Sequence, residues 1–337
     1  MKTLGHLAGL ALLFATTACA PVRGAAYELD FACASRAEGA GRFLDAARSY
    51  DDAARVALRP RDRDQATWDA AEVLASAGSI PEAIRRFSAI AADPLSEHEA
   101  EAAYRIAALR IDHGDPDRGW SELDDLVRRY PSHGVAHVAL RRLARHADEE
   151  GPAAGLEMLQ SLDSSLDSTE LAGLLSYLIA QHLEATGQVQ KARDAYIRLA
   201  DRFPYPFGAF FDDALWNASL IDDKLGRPRV AIDDLERMLK ERETTFLMGS
   251  YERAKYVPAI LRVGALYRDR LHDDARARAA FHRLYTDFAH STMRARGLWL
   301  EAALWKKDGD SVTACDRLGT LIKSFPDSRY VPCALNE

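Results

Sequence analysis

The sequence predicts an all-α chain, a right-handed superhelical solenoid of about eight helical hairpins. Three observations predict it. A turn position recurs at residues 41, 78, 114, 151, 187, 226, 272 and 309, with steps of 37, 36, 37, 36, 39, 46 and 37 residues. Five, nine and twelve residues after it stand a small residue, an aromatic or leucine, and an apolar residue, a spacing that keeps all three on one helix face. Seven residues before it stand Ala34, Ala71, Ala107, Ala144, Ala180, Ser219, Ala265 and Ala302, all small enough for two helices to approach closely.

Six units follow the pattern directly. They are Gly41-Ala46-Tyr50-Ala53, Gly78-Ala83-Phe87-Ile90, Gly114-Gly119-Leu123-Leu126, Gly187-Ala192-Tyr196-Leu199, Gly226-Ala231-Leu235-Met238 and Gly309-Ala314-Leu318-Leu321. In the fourth unit Gln160 and Asp163 break the apolar face behind Gly151, and a one-residue slip to Gly155, Leu159 and Leu162 restores it. In the seventh unit His272 replaces glycine, ahead of Ala277, Phe281 and Leu284. Prolines 60, 94, 131, 204 and 326 are read as closing units, because proline cannot continue a helical hydrogen-bond ladder. The long step before His272 holds an insertion near 243–251, read as a longer first helix of that unit rather than a loop. No domain boundary is visible, and the irregular fourth unit is the place for a hinge.

Bulk properties agree. The chain has 337 residues, 48% of them hydrophobic, so a sizeable core can form. Alanine and leucine outweigh β-branched residues, which favours helix. The net charge of −7 and the absence of a basic stripe argue against a nucleic-acid binder.

This pattern resembles the tetratricopeptide repeat. The resemblance spans about residues 26–328, and Arg-Tyr-Pro at 129–131, Arg-Phe-Pro at 202–204 and Ser-Phe-Pro at 324–326 are similar to repeats of bacterial periplasmic and outer-membrane lipoproteins. Examples are the accessory lipoprotein of β-barrel assembly and the Tol–Pal coordinator. The resemblance implies a concave groove lined by the first helix of each hairpin. The groove-facing position, ten residues before the turn, reads Phe31, Trp68, Tyr104, Arg141, Tyr177, Trp216, Arg262 and Trp299. Aromatic residues and arginine concentrate binding energy at interfaces, and a partner peptide is the natural occupant. The same residues can equally be packing between hairpins.

Residues 1–18 read as a secretory signal: Lys2, an apolar run from Leu7 to Ala15, then small residues. Thr16-Thr17-Ala18-Cys19 resembles a lipobox, which implies cleavage before Cys19, lipidation of that cysteine and a short tether at 19–25. Ala20 then points to the outer membrane. The competing cut, after Ala20, gives a soluble exported protein. Cys33, Cys315 and Cys333 remain. A bridge between the last two is conceivable after export, but the repeat places them at opposite ends of a helix pair, so small buried hydrophobes are expected. His133, His137 and His146 are expected to be surface residues rather than a metal site. The aromatic run Phe203–Phe211 is read as a staple over helix ends.

No catalytic motif, phosphate loop or dinucleotide fingerprint is present. Acids and arginines alternate along helices, as in Asp124 and Arg128, in the pattern of solvated i,i+4 pairs. The expectation is a non-enzymatic scaffold without cofactor, anchored in the envelope and facing the periplasm, that holds other envelope proteins. Residues 329–337 form a tail too short to cap the array fully, so self-stacking oligomerisation is one alternative. A solenoid cell-wall glycosidase is another.

Overall fold

The computed structural model describes residues 23–241 and 253–336. Cys19, the signal segment and most of the tether lie outside the described residues, as does the 243–251 insertion. The described residues are helical throughout and hold no strand.

Eight helix pairs follow one another along the chain. They are α1 (Ala25–Gly39) with α2 (Phe43–Val56), α3 (Pro60–Ser76) with α4 (Ile80–Ala91), α5 (Glu99–His113) with α6 (Pro116–Arg129), and α7 (Gly134–Ala147) with α8 (Pro152–Leu166). Then come α9 (Ala172–Ala185) with α10 (Val189–Arg202), α11 (Phe211–Lys224) with α12 (Pro228–Lys240), α13 (Tyr256–Asp269) with α14 (Asp274–Thr286), and α15 (Arg294–Lys307) with α16 (Ser311–Ser324). A short α17 (Val331–Ala334) ends the chain's described part and seats Ala334 in the core of the last hairpin. The chain divides into two compact units at residues 143 and 144, inside the irregular fourth hairpin.

The turns are built as the glycines require. All seven have positive φ, between 72° and 119°, a region closed to most side chains but open to glycine. In six hairpins the residue after the glycine donates its N–H to the carbonyl five positions earlier, as Arg42 does to Ala37 and Gln188 to Leu183. That bond closes the helix end and reverses the chain. His272 takes the seventh turn at φ 52°. Asp273 then caps α14, its carboxylate accepting from the Arg276 N–H at 2.9 Å. Asp273→Ala is expected to lower stability by about 1 kcal/mol, read as a smaller midpoint in urea.

The seventh turn is one residue longer than the others. Asp273 bonds back to Tyr267, six positions earlier. This shifts α13 by one residue relative to His272. The buried small residue of this hairpin is therefore Gly264, not Ala265, which is half-exposed. A Cβ at Gly264 would stand under 3 Å from the Phe281 ring. The other seven small positions are buried as expected.

All the second-helix triplets are buried, including the slipped one, Gly155-Leu159-Leu162. Two expectations are corrected. Pro60 opens α3 rather than closing the first unit, as its fixed φ and missing N–H suit a helix start. The first helix of the seventh hairpin is not lengthened: α13 has 14 residues and starts at Tyr256, with turn residues before it. The Tyr256 hydroxyl donates to the Glu241 carbonyl, which brings the two flanks of the insertion together.

Arginine–carboxylate pairs join consecutive second helices. Asp51 pairs with Arg86 in the first unit, and Asp167 with Arg202, Asp201 with Arg237 and Glu236 with Arg283 in the second. Sequence pattern showed the i,i+4 pairs, such as Arg128 with Asp124 at 2.8 Å, but not these rungs, whose partners are 35 or more positions apart.

Candidate protein-binding face

Each first helix turns one side to its own hairpin and the next side outward, and the face position lies at the border. In the first unit, Phe31, Trp68 and Tyr104 are half-buried and Arg141 is exposed. In the second, Tyr177, Trp216 and Trp299 are half-buried. Four of the six, Phe31, Trp68, Tyr177 and Trp299, pack against other rings. One contact is with the aromatic of the second helix in the same hairpin: Phe31 with Tyr50 at 5.1 Å, Trp68 with Phe87 at 5.1 Å, and Tyr177 with Tyr196 at 6.1 Å between ring centroids. The other is a stacked contact with the residue that leads into the next first helix: Trp68 with His98, Tyr177 with Phe210, and Trp299 with Tyr330. Aromatic pairs of this kind contribute roughly 0.5–1.5 kcal/mol beyond area burial. The face aromatics thus join hairpins and leave an edge to solvent.

Arg262 departs from this row. The longer seventh turn gives its place to Leu261, which packs against the core. Arg262 instead reaches Asp223 of the preceding hairpin at 2.9 Å, and Arg270 binds the same carboxylate at 2.8 Å.

Two buried polar clusters escaped the sequence reading. Asp222 is fully buried and accepts from Arg193 Nε at 3.0 Å. Arg227 lies 2.6 Å from its other oxygen, and Asp234 stands 3.7 Å from Arg193. Burial pushes the Asp234 carboxyl above its ordinary range, against the pull of Arg193. Glu301, 4% exposed, accepts from His282 Nδ1 and Arg317 Nε, each at 2.8 Å. The signals were present: Asp222 stands where other hairpins carry Ala37, Leu74 and Leu183, and Glu301 where they carry Ala70, Ile106 and Leu143. Each of these acids is held by arginine or histidine, the arrangement that a buried charge requires. His182, also buried, lies between the Leu178 carbonyl at 2.8 Å and the Asp148 carboxylate at 2.9 Å, and Gly155 leaves the space for them.

Asp69 differs. It accepts one hydrogen bond, from Gln65 Nε2 at 3.0 Å, and has no arginine or lysine partner among the described residues. Burial, reinforced by Glu38 and Glu72, pushes its carboxyl up to about 6. The folded chain therefore holds this proton more tightly than the unfolded one. The stabilisation is complete below about pH 4 and is lost as pH rises through about 6. Asp69→Asn is expected to raise stability at pH 7.5 by about 1 kcal/mol, allowing for solvent screening, and to leave it unchanged at pH 4. Urea unfolding at the two pH values checks this; an equal gain at both would assign the effect to something other than the proton.

The remaining predicted sites are less organised. Cys33, Cys315 and Cys333 are unpaired. Cys315 and Cys333 are exposed rather than buried, because they lie on the outer sides of α16 and α17. His133 faces Glu101 at 3.4 Å and His146 faces Glu149 at 3.1 Å. No metal-ligand group exists among the described residues. In the Phe203–Phe211 run, Phe211 is buried and Phe210 stacks on Tyr177, as a staple requires, while Phe207 is 94% exposed. Among the described residues no helix is long and apolar enough to cross a membrane.

No known protein family matches the sequence, and no curated protein matches it. Solved structures similar in fold include PilF of Pseudomonas aeruginosa, with 18% identity over 71% of this chain and 97% of that one, at a TM-score of 0.38. A tetratricopeptide repeat protein of Parabacteroides merdae matches with 14% identity over 82% and 99% of the two chains, at 0.34. A signal-transduction ATPase of Pyrococcus horikoshii with a tetratricopeptide repeat sensor matches with 15% identity over 93% of this chain and 49% of that one, at 0.46. The fold assignment rests on the hairpin geometry itself.

Proposed function

We propose that the chain is a non-catalytic scaffold that binds other proteins through the outward face of its first helices. Its setting would be the cell envelope, with a lipid on Cys19 as the anchor. The observation that carries this reading is the recurrence of half-buried aromatics at one register: Phe31, Trp68 and Tyr104 in the first unit, Tyr177, Trp216 and Trp299 in the second. The inner edges of Phe31, Trp68, Tyr177 and Trp299 are fixed by ring packing, so a partner meets rigid apolar edges at low entropic cost. The lipid anchor draws its support from the Thr16–Cys19 motif alone.

The test is crosslinking capture from intact cells. It would compare wild type with Tyr104→Ala plus Arg141→Ala, which spare the stacked pairs, and with Arg86→Ala plus Arg237→Ala on the second helices. Capture lost only in the first variant supports the face; capture lost only in the second moves binding to the other helices. Palmitate labelling of wild type against Cys19→Ser tests the anchor separately.

A second reading has one observation behind it. The last hairpin carries a cavity of about 230 Å³ lined by Trp299, Ala302, Ala303, Lys306, Ala314 and Leu318, with Val312 83% exposed on the same hairpin. Stacking of a second copy there would give concentration-dependent mass in light scattering, and Ala303→Glu would abolish it.

A further inference from the structure

We propose that the first-helix face of hairpins one and two, around Trp68, is a docking site for a lysine- or arginine-rich segment of a partner protein. The inference rests on the scaffold reading and names the partner's chemistry.

The argument is one of unmatched charge. On α2 and α4 every carboxylate has an arginine: Asp45 with Arg48, Asp52 with Arg55, Asp51 with Arg86, and Glu82 with Arg85 and Arg86. On the first helices of the same two hairpins Asp62 is likewise paired, with Arg59 and Arg23, but three other carboxylates are not. Glu38 accepts only from the Tyr50 hydroxyl, at 2.8 Å. Asp69 accepts only from Gln65. Asp64 accepts from the Ser96 hydroxyl at 2.7 Å and the Glu97 N–H at 2.9 Å. Among the described residues none of the three forms an ion pair with lysine or arginine. Glu72, beside them, is held by Nε and Nη2 of Arg105, each at 2.6 Å, so that guanidinium is already committed.

These carboxylates surround apolar surface. Asp64 and Asp69 flank Trp68 along α3, and Phe31 packs on Tyr50, whose hydroxyl Glu38 binds. A lysine or arginine can lay its stem along the aromatic edges and bring its charge to Glu38 and Asp69. Asp69 is half-buried and attracts a cation more strongly than an exposed carboxylate does. The groups facing Asp69 are Glu38 from α1, Tyr50 from α2, Glu72 on its own helix and His98 ahead of α5. The two acids favour its neutral form, and a docked cation would favour the charged one. Docking should therefore release the Asp69 proton and weaken as that proton is restored.

The test uses the full chain and a dye-labelled (Lys-Ala)4 peptide, with (Glu-Ala)4 as the opposite charge, read by fluorescence anisotropy at pH 7.5. Glu38→Gln with Asp69→Asn should weaken the lysine peptide about tenfold. Asp45→Asn with Asp52→Asn removes the same charge from α2 and should weaken it less than about twofold. Between pH 7.5 and 5, wild-type affinity should fall to that of Asp69→Asn, while Asp69→Asn stays flat and His98→Gln keeps the fall. Equal losses in the two double variants, or equal binding of both peptides, would overturn the site. If the cellular partner is lost with Tyr104→Ala plus Arg141→Ala but retained with Glu38→Gln plus Asp69→Asn, the cationic reading fails and the scaffold face stands.

Discussion

Phe281→Ala is expected to destabilise the second unit by about 4 kcal/mol. Phe281 is 1% exposed on α14 and fills the space that Gly264 leaves on α13. Its backbone oxygen lies where a Cβ on Gly297 of α15 would approach to 2.7 Å. The side chain thus sets the spacing of α13 and α14 and packs with Leu304 of α15, and truncation leaves a cavity that rigid neighbours cannot fill. The reverse change is informative too. Gly264→Ala should cost about 2 kcal/mol by overpacking, and adding Phe281→Leu should recover part of that loss. Urea unfolding of the three variants measures the set. A loss under about 1 kcal/mol for Phe281→Ala would mean that the seventh hairpin yields around the gap, and that the glycine–phenylalanine fit does not hold it.

Arg193→Ala should cost about 3 kcal/mol, for an electrostatic reason. Arg193 lies between Asp222 and Asp234, and the Asp222 side chain is wholly buried. Removing the guanidinium leaves a carboxylate with only Arg227 beside it. Arg193→Met with Asp222→Asn removes both charges and should recover most of the loss, since a desolvated pair and an apolar replacement are often close in energy. Equilibrium unfolding at pH 7 reads both. If the single variant loses under about 1 kcal/mol, water shares the cluster and the arginine is not its keystone.

The hairpins were legible in the sequence because two physical requirements are local. A left-handed turn calls for glycine, and a buried stripe calls for residues three and four positions apart. Both recur every 36 or 37 residues in most of the chain. The longer seventh turn was not legible, because nothing local marks His272 as standing one residue further from its first helix than the glycines do. The regular spacing predicts Arg262 on the face and Ala265 in the contact, where the structure has Leu261 and Gly264. The candidate face was legible as a row of aromatics but not as a charge pattern. Which carboxylate has an arginine depends on partners in the next hairpin, such as Glu72 with Arg105, and no local spacing reveals that. The buried acids Asp222 and Glu301 broke the apolar register visibly, but their partners come from neighbouring helices.

The extra residue at His272 shows where this architecture tolerates changes in chain length. The residue is absorbed within the turn: Asp273 reaches back one carbonyl further, and Ala277, Phe281 and Leu284 stay buried. Had the same residue entered the middle of α13, every later side chain on that helix would have rotated by about 100°, sending Gly264 away from Phe281. Length variation is thus nearly silent at the hairpin tips and disruptive within the helices. Peptide tags or short loops grafted next to Gly187 or Gly226 should leave the neighbouring repeats undisturbed.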